Sequence, residues 1–404
     1  MKYIIILCDG MADEPLDELG GRTPLEAART MNMDSLAKVS EIGMVRTVPA
    51  GMAPGSDTAN LSVIGYDPKE YYTGRSPLEA LSIGADMAPD DVSFRCNLVT
   101  LSEEEDRYED RHILDHSSGE ISTEEAAELL EALSEGLKRE GYTFYVGTSY
   151  RHLLIQKKGK VTELTAPHDI LTKQIGGYLP EDGVLREMMV KSYDILKDHP
   201  VNKRRRTEGK NPANSAWFWG AGTRPALRSF EEKNGVKGAM ISAVDLLKGI
   251  AVGAGMDNIV VEGANGGLDT NYAGKAQAAV KALTEDGYDF VYVHIEAPDE
   301  MGHQGSFQDK ITAIERIDEQ IIGPVRTALE DAGTDFRMLI LPDHPTPVRV
   351  RTHTSDPIPY LLYDSTEYIA GMDTYSEKTG KQTGVFVEKG YRLMDHLLEK
   401  DTEQ

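Results

Sequence analysis

The chain of 404 residues carries 43 Lys and Arg against 67 Asp and Glu, a formal net charge of −24, with 40% hydrophobic and 27% charged residues. That length favours two domains, and that balance a folded globular chain over a disordered one. The acidic excess argues against nucleic acid or an anionic membrane as the main partner, and two cysteines, Cys8 and Cys96, are too few for a disulfide framework or a thiolate metal cluster.

Residues 3–7 form an apolar run that leads into Asp9. The run is shorter than a signal-peptide core or a membrane span requires, so the expected location is cytoplasmic, with no membrane partner. A Gly55-Ser56-Asp57 turn then opens a predicted helix. Residues 66–91, rich in Pro, Gly and acids, read as a crossing between domains. Strand-like pieces at 92–101, 143–146 and 152–156 alternate with helices, among them 123–137 with a cap region at Ser122, until about Ser229. The basic run Lys203-Arg204-Arg205-Arg206 reads as a solvated loop. Helical patterns return at 270–283 and at 308–329, where Ile311, Ile314, Ile317, Ile321 and Ile322 mark one apolar face. Between them residues 290–295 lead into Asp299, and residues 338–341 lead into Asp343.

Three continuous aliphatic runs without alternation suit strands buried on both faces, as in a parallel sheet covered by helices. Because those strands come from both ends of the chain, the expected fold is α/β: a doubly wound, mainly parallel core from 1–85 and 233–404, with a smaller α+β domain inserted at 86–232. Ligands in such sheets bind beyond the carboxyl ends of the strands, where Asp9, Asp299 and Asp343 are expected to converge.

Histidines accompany these acids: His303 four residues after Asp299, His344 beside Asp343, and His353 nine residues later. An oxygen-and-imidazole set without thiolate suits Mn²⁺, Zn²⁺ or Fe²⁺, with Mg²⁺ at a carboxylate-rich site. Ser56, at a helix N-terminus where backbone N–H groups favour an anion, is a helix cap by itself. Beside a metal pair it becomes a candidate nucleophile for phosphoryl transfer.

The ordered set Asp9-Gly10, Gly55-Ser56-Asp57, Asp299-x3-His303, Asp343-His344 and His353 resembles the alkaline-phosphatase superfamily. With Ile64-Gly65-Tyr66-Asp67-Pro68, Tyr72-Thr73-Gly74-Arg75 and His294-Ile295-Glu296-Ala297-Pro298-Asp299-Glu300, nearly the whole chain resembles the cofactor-independent phosphoglycerate mutases of the archaeal type. The resemblance implies an alkaline-phosphatase-like core holding two divalent ions. Mn²⁺ is foremost, with Zn²⁺, Mg²⁺ or Co²⁺ as alternatives, and no bisphosphoglycerate is used. Asp299, His303 and His353 would hold one ion; Asp9, Ser56, Asp343 and His344 the other. Ser56 would carry the phosphoryl group while 3- and 2-phosphoglycerate interconvert. Lys248 matches a lysine that the family uses near the transferring phosphate. In the inserted domain Arg95, Asp115 and Arg151 would bind a small phosphorylated substrate, since Arg grips carboxylate and phosphate in bidentate fashion. An oligomer is compatible with this reading.

The chain departs from that pattern in its cations. An arginine-rich stretch of the family is replaced by Asp115-His116-Ser117-Ser118-Gly119-Glu120, an arginine by Trp219, and a histidine by Asn60. A homoserine-kinase-like transfer to a zwitterionic acceptor is therefore the leading alternative, although no Gly-x4-Gly-Lys-[Ser/Thr] loop is present. A metal-dependent phosphatase, and a metal-binding relative without turnover, complete the set.

Overall fold

A computed structural model describes residues 1–400 as two compact units, residues 1–72 with the chain from 227 onward, and residues 73–226. In chain order the strands are β1 (Lys2–Cys8), β2 (Glu41–Val45), β3 (Val92–Leu101), β4 (Ile113–Asp115), β5 (Tyr142–Thr148), β6 (Arg151–Gln156), β7 (Ser215–Thr223), β8 (Gly238–Ile241), β9 (Asp257–Asn258), β10 (Phe290–Ile295), β11 (Phe336–Leu341), β12 (Ile358–Asp364) and β13 (Phe386–Val387). Among the described residues no helix is long and apolar enough to cross a membrane.

The larger unit is built on one sheet of order β13-β2-β12-β11-β1-β10-β8-β9. From β11 to β9 neighbours run parallel, as do β13 and β2, and among the described residues β12 runs antiparallel to both its neighbours. Ile4, Ile6 and Cys8 belong to one apolar core with Ala276, Ala279, Ile314 and Ile321 from the covering helices, and Ile5 and Leu7 are equally buried on the opposite face. Burial on both faces is the reason these strands read as unbroken aliphatic runs. The expected α/β, mainly parallel core is thus observed. In register, Leu7 of β1 stands opposite both His294 of β10 and Leu341 of β11. The three strands therefore end level, and the acids that follow them share one edge.

The smaller unit is an antiparallel five-stranded sheet, β4-β3-β6-β5 with β7 also on β3, under the Thr123–Gly136 and Gly183–Leu196 helices. Residues 73–85, read from the sequence as core, group here. Their Arg75–Ser82 helix lies against β3 and β7, Ser76 Oγ is 3.0 Å from Ser93 O, and Ala80 packs with Leu153 and Ile155 of β6. Residues 227–232 group with the larger unit, where the Phe230 and Phe290 rings lie 4.8 Å apart.

Two readings need correction. The basic run is no solvated loop: it lies in the Pro200–Thr207 helix, started by Pro200 at its first turn. Arg205 there is buried, donating to Glu125 Oε2 at 2.5 Å, Asn211 O at 2.8 Å and Ser118 O at 2.6 Å. The amphipathic stretch after residue 307 is not one regular helix. A π-helical turn at Asp318–Ile322 separates the Phe307–Ile317 and Gly323–Asp331 helices. There the buried Asp318 carboxylate accepts from the backbone N–H groups of Asn32 and Met33, and Pro324 supplies no amide donor to the ladder.

Candidate active site

The level strand ends bring the acids together. Asp9 leaves β1 directly, and Gly10 turns the chain at φ +61° so that its N–H donates to Asp343 Oδ1 at 3.1 Å. A Cβ at residue 10 would sit 2.6 Å from the Asp299 backbone, which is why a glycine is required. Asp343 Oδ1 also accepts from the His344 N–H at 2.8 Å, and its Oδ2 from Asn60 Nδ2 at 2.8 Å. Asp299 lies in the first turn of the Ala297–Gln304 helix, which aims His303, one turn on, at the same carboxylate: Nε2 is 3.2 Å from Oδ2.

Two groups of potential ligand atoms result, Asp9, Asp343 and His344, and Asp299, His344 and His353, each set lying within 4.8 Å. His344 is common to both, whereas the resemblance assigned it to one ion alone. His303 adjoins the second group, its Nε2 3.0 Å from His353 Nε2. Ser56, first residue of the Ser56–Val63 helix, reaches the shared imidazole: Oγ lies 3.2 Å from His344 Nε2.

The electrostatics fit a cation. Burial, then Asp343 and Asp299, push the Asp9 carboxyl well above the usual range, and among the described residues its buried Oδ1 has no hydrogen-bond donor. Burial also raises Asp299, but hydrogen bonds from His303 and His353 bring it well below its ordinary value, and the same hydrogen bond lifts His303 to about 9. Burial lowers His344. An orphaned carboxylate oxygen beside clustered acids and imidazoles is a donor set that Mn²⁺ or Zn²⁺ satisfies.

The other expected residues make contacts of their own. Lys248, in the Asp245–Gly253 helix, pairs with Asp245 at 3.2 Å. Arg95 and Arg151 share one face of the smaller unit's sheet, since Arg95 pairs with Leu153 and Asn97 with Arg151. Arg95 is buried 3.0 Å from Glu79 with its guanidinium 4.4 Å above the Trp219 ring, while Arg151 stacks on Tyr150. Asp115 closes a turn, accepting from Ser117 N–H and Oγ, Gly119 N–H and Asn211 Nδ2.

Several participants had no role in the sequence reading. His294 Nε2 lies 2.8 Å from Asp9 Oδ2 and its Nδ1 3.2 Å from Ser242 Oγ; because Ser242 Oγ accepts from the Val244 N–H, its own hydrogen suits Nδ1, which leaves Nε2–H for the carboxylate, and burial lowers this imidazole to about 3. Thr346 Oγ1 donates to Asp299 Oδ1. Lys275 donates to His294 O at 3.0 Å, its ammonium lowered to about 8 by burial. For His294 the available signal was a histidine beside a tyrosine inside an otherwise apolar strand, FVYVHI.

Residues 37–202 match the family model described as 2,3-bisphosphoglycerate-independent phosphoglycerate mutase. The chain is 49% identical, over 405 residues, to a probable 2,3-bisphosphoglycerate-independent phosphoglycerate mutase of Geobacter sulfurreducens, covering 99% of this chain and 100% of that protein. Its fold is similar to that of a solved Pyrococcus horikoshii protein, at 31% identity and TM-score 0.82 over 100% of this chain and 98% of the other. It is also similar to the cofactor-independent phosphoglycerate mutase of Thermoplasma acidophilum, at 29% identity and TM-score 0.67 over 99% of both chains. At this identity over essentially its whole length, the chain belongs to the 2,3-bisphosphoglycerate-independent phosphoglycerate mutase family.

Proposed function

We propose that this chain interconverts 3-phosphoglycerate and 2-phosphoglycerate through a phosphoserine at Ser56, without bisphosphoglycerate, in the cytoplasm. The observation that carries the reading is the Ser56 hydroxyl at a helix N-terminus, 3.2 Å from the imidazole common to both ligand groups. The names of the relatives support the substrate.

In this reading Ser56 Oγ attacks phosphorus as the bond to the glycerate oxygen breaks. The serine proton is lost and one is returned to the leaving oxygen. The neighbouring glycerate hydroxyl then attacks the phosphoserine, Ser56 Oγ leaves, and both proton movements reverse, so no proton is consumed overall. The N-terminus of Ser56–Val63 would favour the charge of the phosphoryl group on Ser56. Two divalent ions, Mn²⁺ foremost, would be held by Asp9, Asp343 and His344 and by Asp299, His303 and His353, and supply charge that acidifies the Ser56 hydroxyl and screens the phosphoryl group. Lys248 is proposed to act near the phosphate. For the smaller unit the proposed role is substrate binding, by Arg95, Asp115 and Arg151; Arg151→Ala raising KM with kcat retained is the expected outcome.

The test is conversion of 3-phosphoglycerate with Mn²⁺ and no bisphosphoglycerate, read through enolase, in the wild type and in Ser56→Ala. Turnover in the first, absent from a folded, metal-binding second, is expected, with phosphoserine at residue 56 visible by mass spectrometry. A folded, metal-loaded wild type without conversion overturns the mutase reading, and transfer from ATP to homoserine would replace it with the kinase alternative.

A further inference from the structure

Behind the Asp343 carboxylate lies a polar relay that neither the resemblance nor the reaction sequence uses. Asn60 stands one turn after Ser56 in the same helix and is buried, as is Tyr292 on β10. The Tyr292 hydroxyl donates to Asn60 Oδ1 at 2.5 Å. Asn60 Nδ2 in turn donates to two acceptors, the backbone carbonyl of Ser56 at 2.8 Å and Asp343 Oδ2 at 2.8 Å. All three of these contacts agree on one amide orientation. Flipped, Asn60 would set its carbonyl oxygen against a carboxylate and a backbone carbonyl, and its NH₂ against the phenol.

We propose that Asn60, oriented by Tyr292, is a positioning residue that couples the Ser56 turn to the Asp343 carboxylate and so sets the distance between nucleophile and metal ligand. The inference rests on the reading of Ser56 as nucleophile and Asp343 as ligand. One NH₂ group holds both: its first hydrogen fixes the peptide carbonyl of the nucleophile, and its second fixes the Asp343 oxygen that does not take the Gly10 and His344 amides. Asp343 thereby has two backbone donors on Oδ1 and one side-chain donor on Oδ2, which pins its rotation, and Ser56 cannot move along the helix axis without straining the same amide. The Tyr292 hydroxyl hydrogen-bonds to Asn60, which carries its hold to both groups. By donating to Asn60 Oδ1, the phenol favours the amide orientation in which Nδ2 faces the carboxylate.

The experiment compares the wild type with Tyr292→Phe, Asn60→Ala and the double variant, as full-length protein. Mn²⁺ alone is titrated by calorimetry, and kcat and KM are measured separately for 3-phosphoglycerate at saturating Mn²⁺. Each single variant is expected to weaken Mn²⁺ binding, and to lower kcat, by about tenfold or more, as loss of a ligand-orienting partner does, with KM changed less than about threefold. The double variant should resemble Asn60→Ala, because two members of one relay do not add. Effects that multiply, or an unchanged Mn²⁺ isotherm with unchanged kcat in Tyr292→Phe, overturn the proposal. Tyr292→Phe removes one oxygen from an otherwise packed ring, so it decides the question should Asn60→Ala fail to fold. If the wild type turns over no phosphoglycerate, the mutase reading fails by itself, and the Mn²⁺ titration still judges the relay.

Discussion

The buried pair Lys310–Asp13 offers the sharpest energetic test of how the site is held. Both side chains are fully buried, with Lys310 Nζ 2.7 Å from Asp13 Oδ2. The ammonium also donates to Ala12 O at 3.2 Å and Thr346 O at 2.9 Å, and Thr346 is the residue whose hydroxyl holds Asp299. The buried Glu377 carboxylate accepts from the Asp13 N–H, so a second acid stands close by. Lys310→Met keeps much of the side-chain volume while leaving Asp13 buried and unpaired. Breaking a buried pair from one side costs about 3–5 kcal/mol, a large part of the 5–15 kcal/mol that holds a typical protein folded. At about 2–4 °C per kcal/mol for a domain of this class, the melting temperature should fall by about 6–20 °C. Removing both charges in Lys310→Met with Asp13→Leu should recover part of the loss, because Asp13 is then no longer a buried unpaired charge, while Glu377 keeps the Thr23 hydroxyl and the residue 13 N–H as donors. Scanning calorimetry of the three proteins decides: a single variant melting with the wild type, or a double variant less stable than the single, would refute the reasoning.

Gly10→Ala should destabilise by about 3 kcal/mol or more and abolish Mn²⁺ binding, since its φ is +61° and the new Cβ meets Asp299 and Thr346 at 2.6 Å; a normal melting curve with a normal Mn²⁺ isotherm contradicts this. Lys275, ordinarily titrating at 10.5 but lowered to about 8 by burial, predicts a pH effect of definite sign. Between those values the unfolded chain binds more protons than the folded one, so this residue's contribution to stability rises with pH, by up to about 3 kcal/mol in all. Urea unfolding at pH 7.5 and pH 10 should show a smaller gain in Lys275→Met than in the wild type, and equal gains would exclude the effect. Chelation should lower the melting temperature and Mn²⁺ restore it, by about 2.7 kcal/mol of stability at a hundred times Kd. A melting curve indifferent to EDTA would mean that the clustered acids hold no stabilising ion.

The parts of the site legible in the sequence are those that local pattern dictates. Unbroken aliphatic runs exposed β1, β10 and β11, and an acid just beyond each run was enough to place Asp9, Asp299 and Asp343 at one edge once the strands were parallel. The i to i+4 spacing of Asp299 and His303 is one helical turn. Contacts across sheet and helix were not legible. Periodicity reports which face is buried, not which polar atom waits opposite, so the assignment of His344 to one group missed its place in both. The Asn60–Tyr292 bond joins residues 232 apart, and the sequence showed Asn60 only as a departure from the family. The interruption at Asp318–Ile322 escaped only in part for the same reason: the isoleucine spacing continues through it and the Asp318 carboxylate caps a distant helix start at Asn32 and Met33, but Pro324 was a local signal of a break.

One strand explains why the site calls for cations. Tyr292 and His294 are two apart on β10 and so share a face; one reaches Asp343 through Asn60, the other reaches Asp9 directly. The donors to these two carboxylates are neutral: the Gly10 and His344 amides, the Asn60 amide, and an imidazole that burial keeps uncharged. Neutral donors fix the positions of two buried acids without cancelling their charge, and Asp343 raises the cost of ionising Asp9. Lysine or arginine in those places would have neutralised the pair and left nothing to bind. A protein that spends a tyrosine, an asparagine and a histidine to hold two carboxylates rigid yet uncompensated has built an anionic socket, and Ser56 stands at its rim.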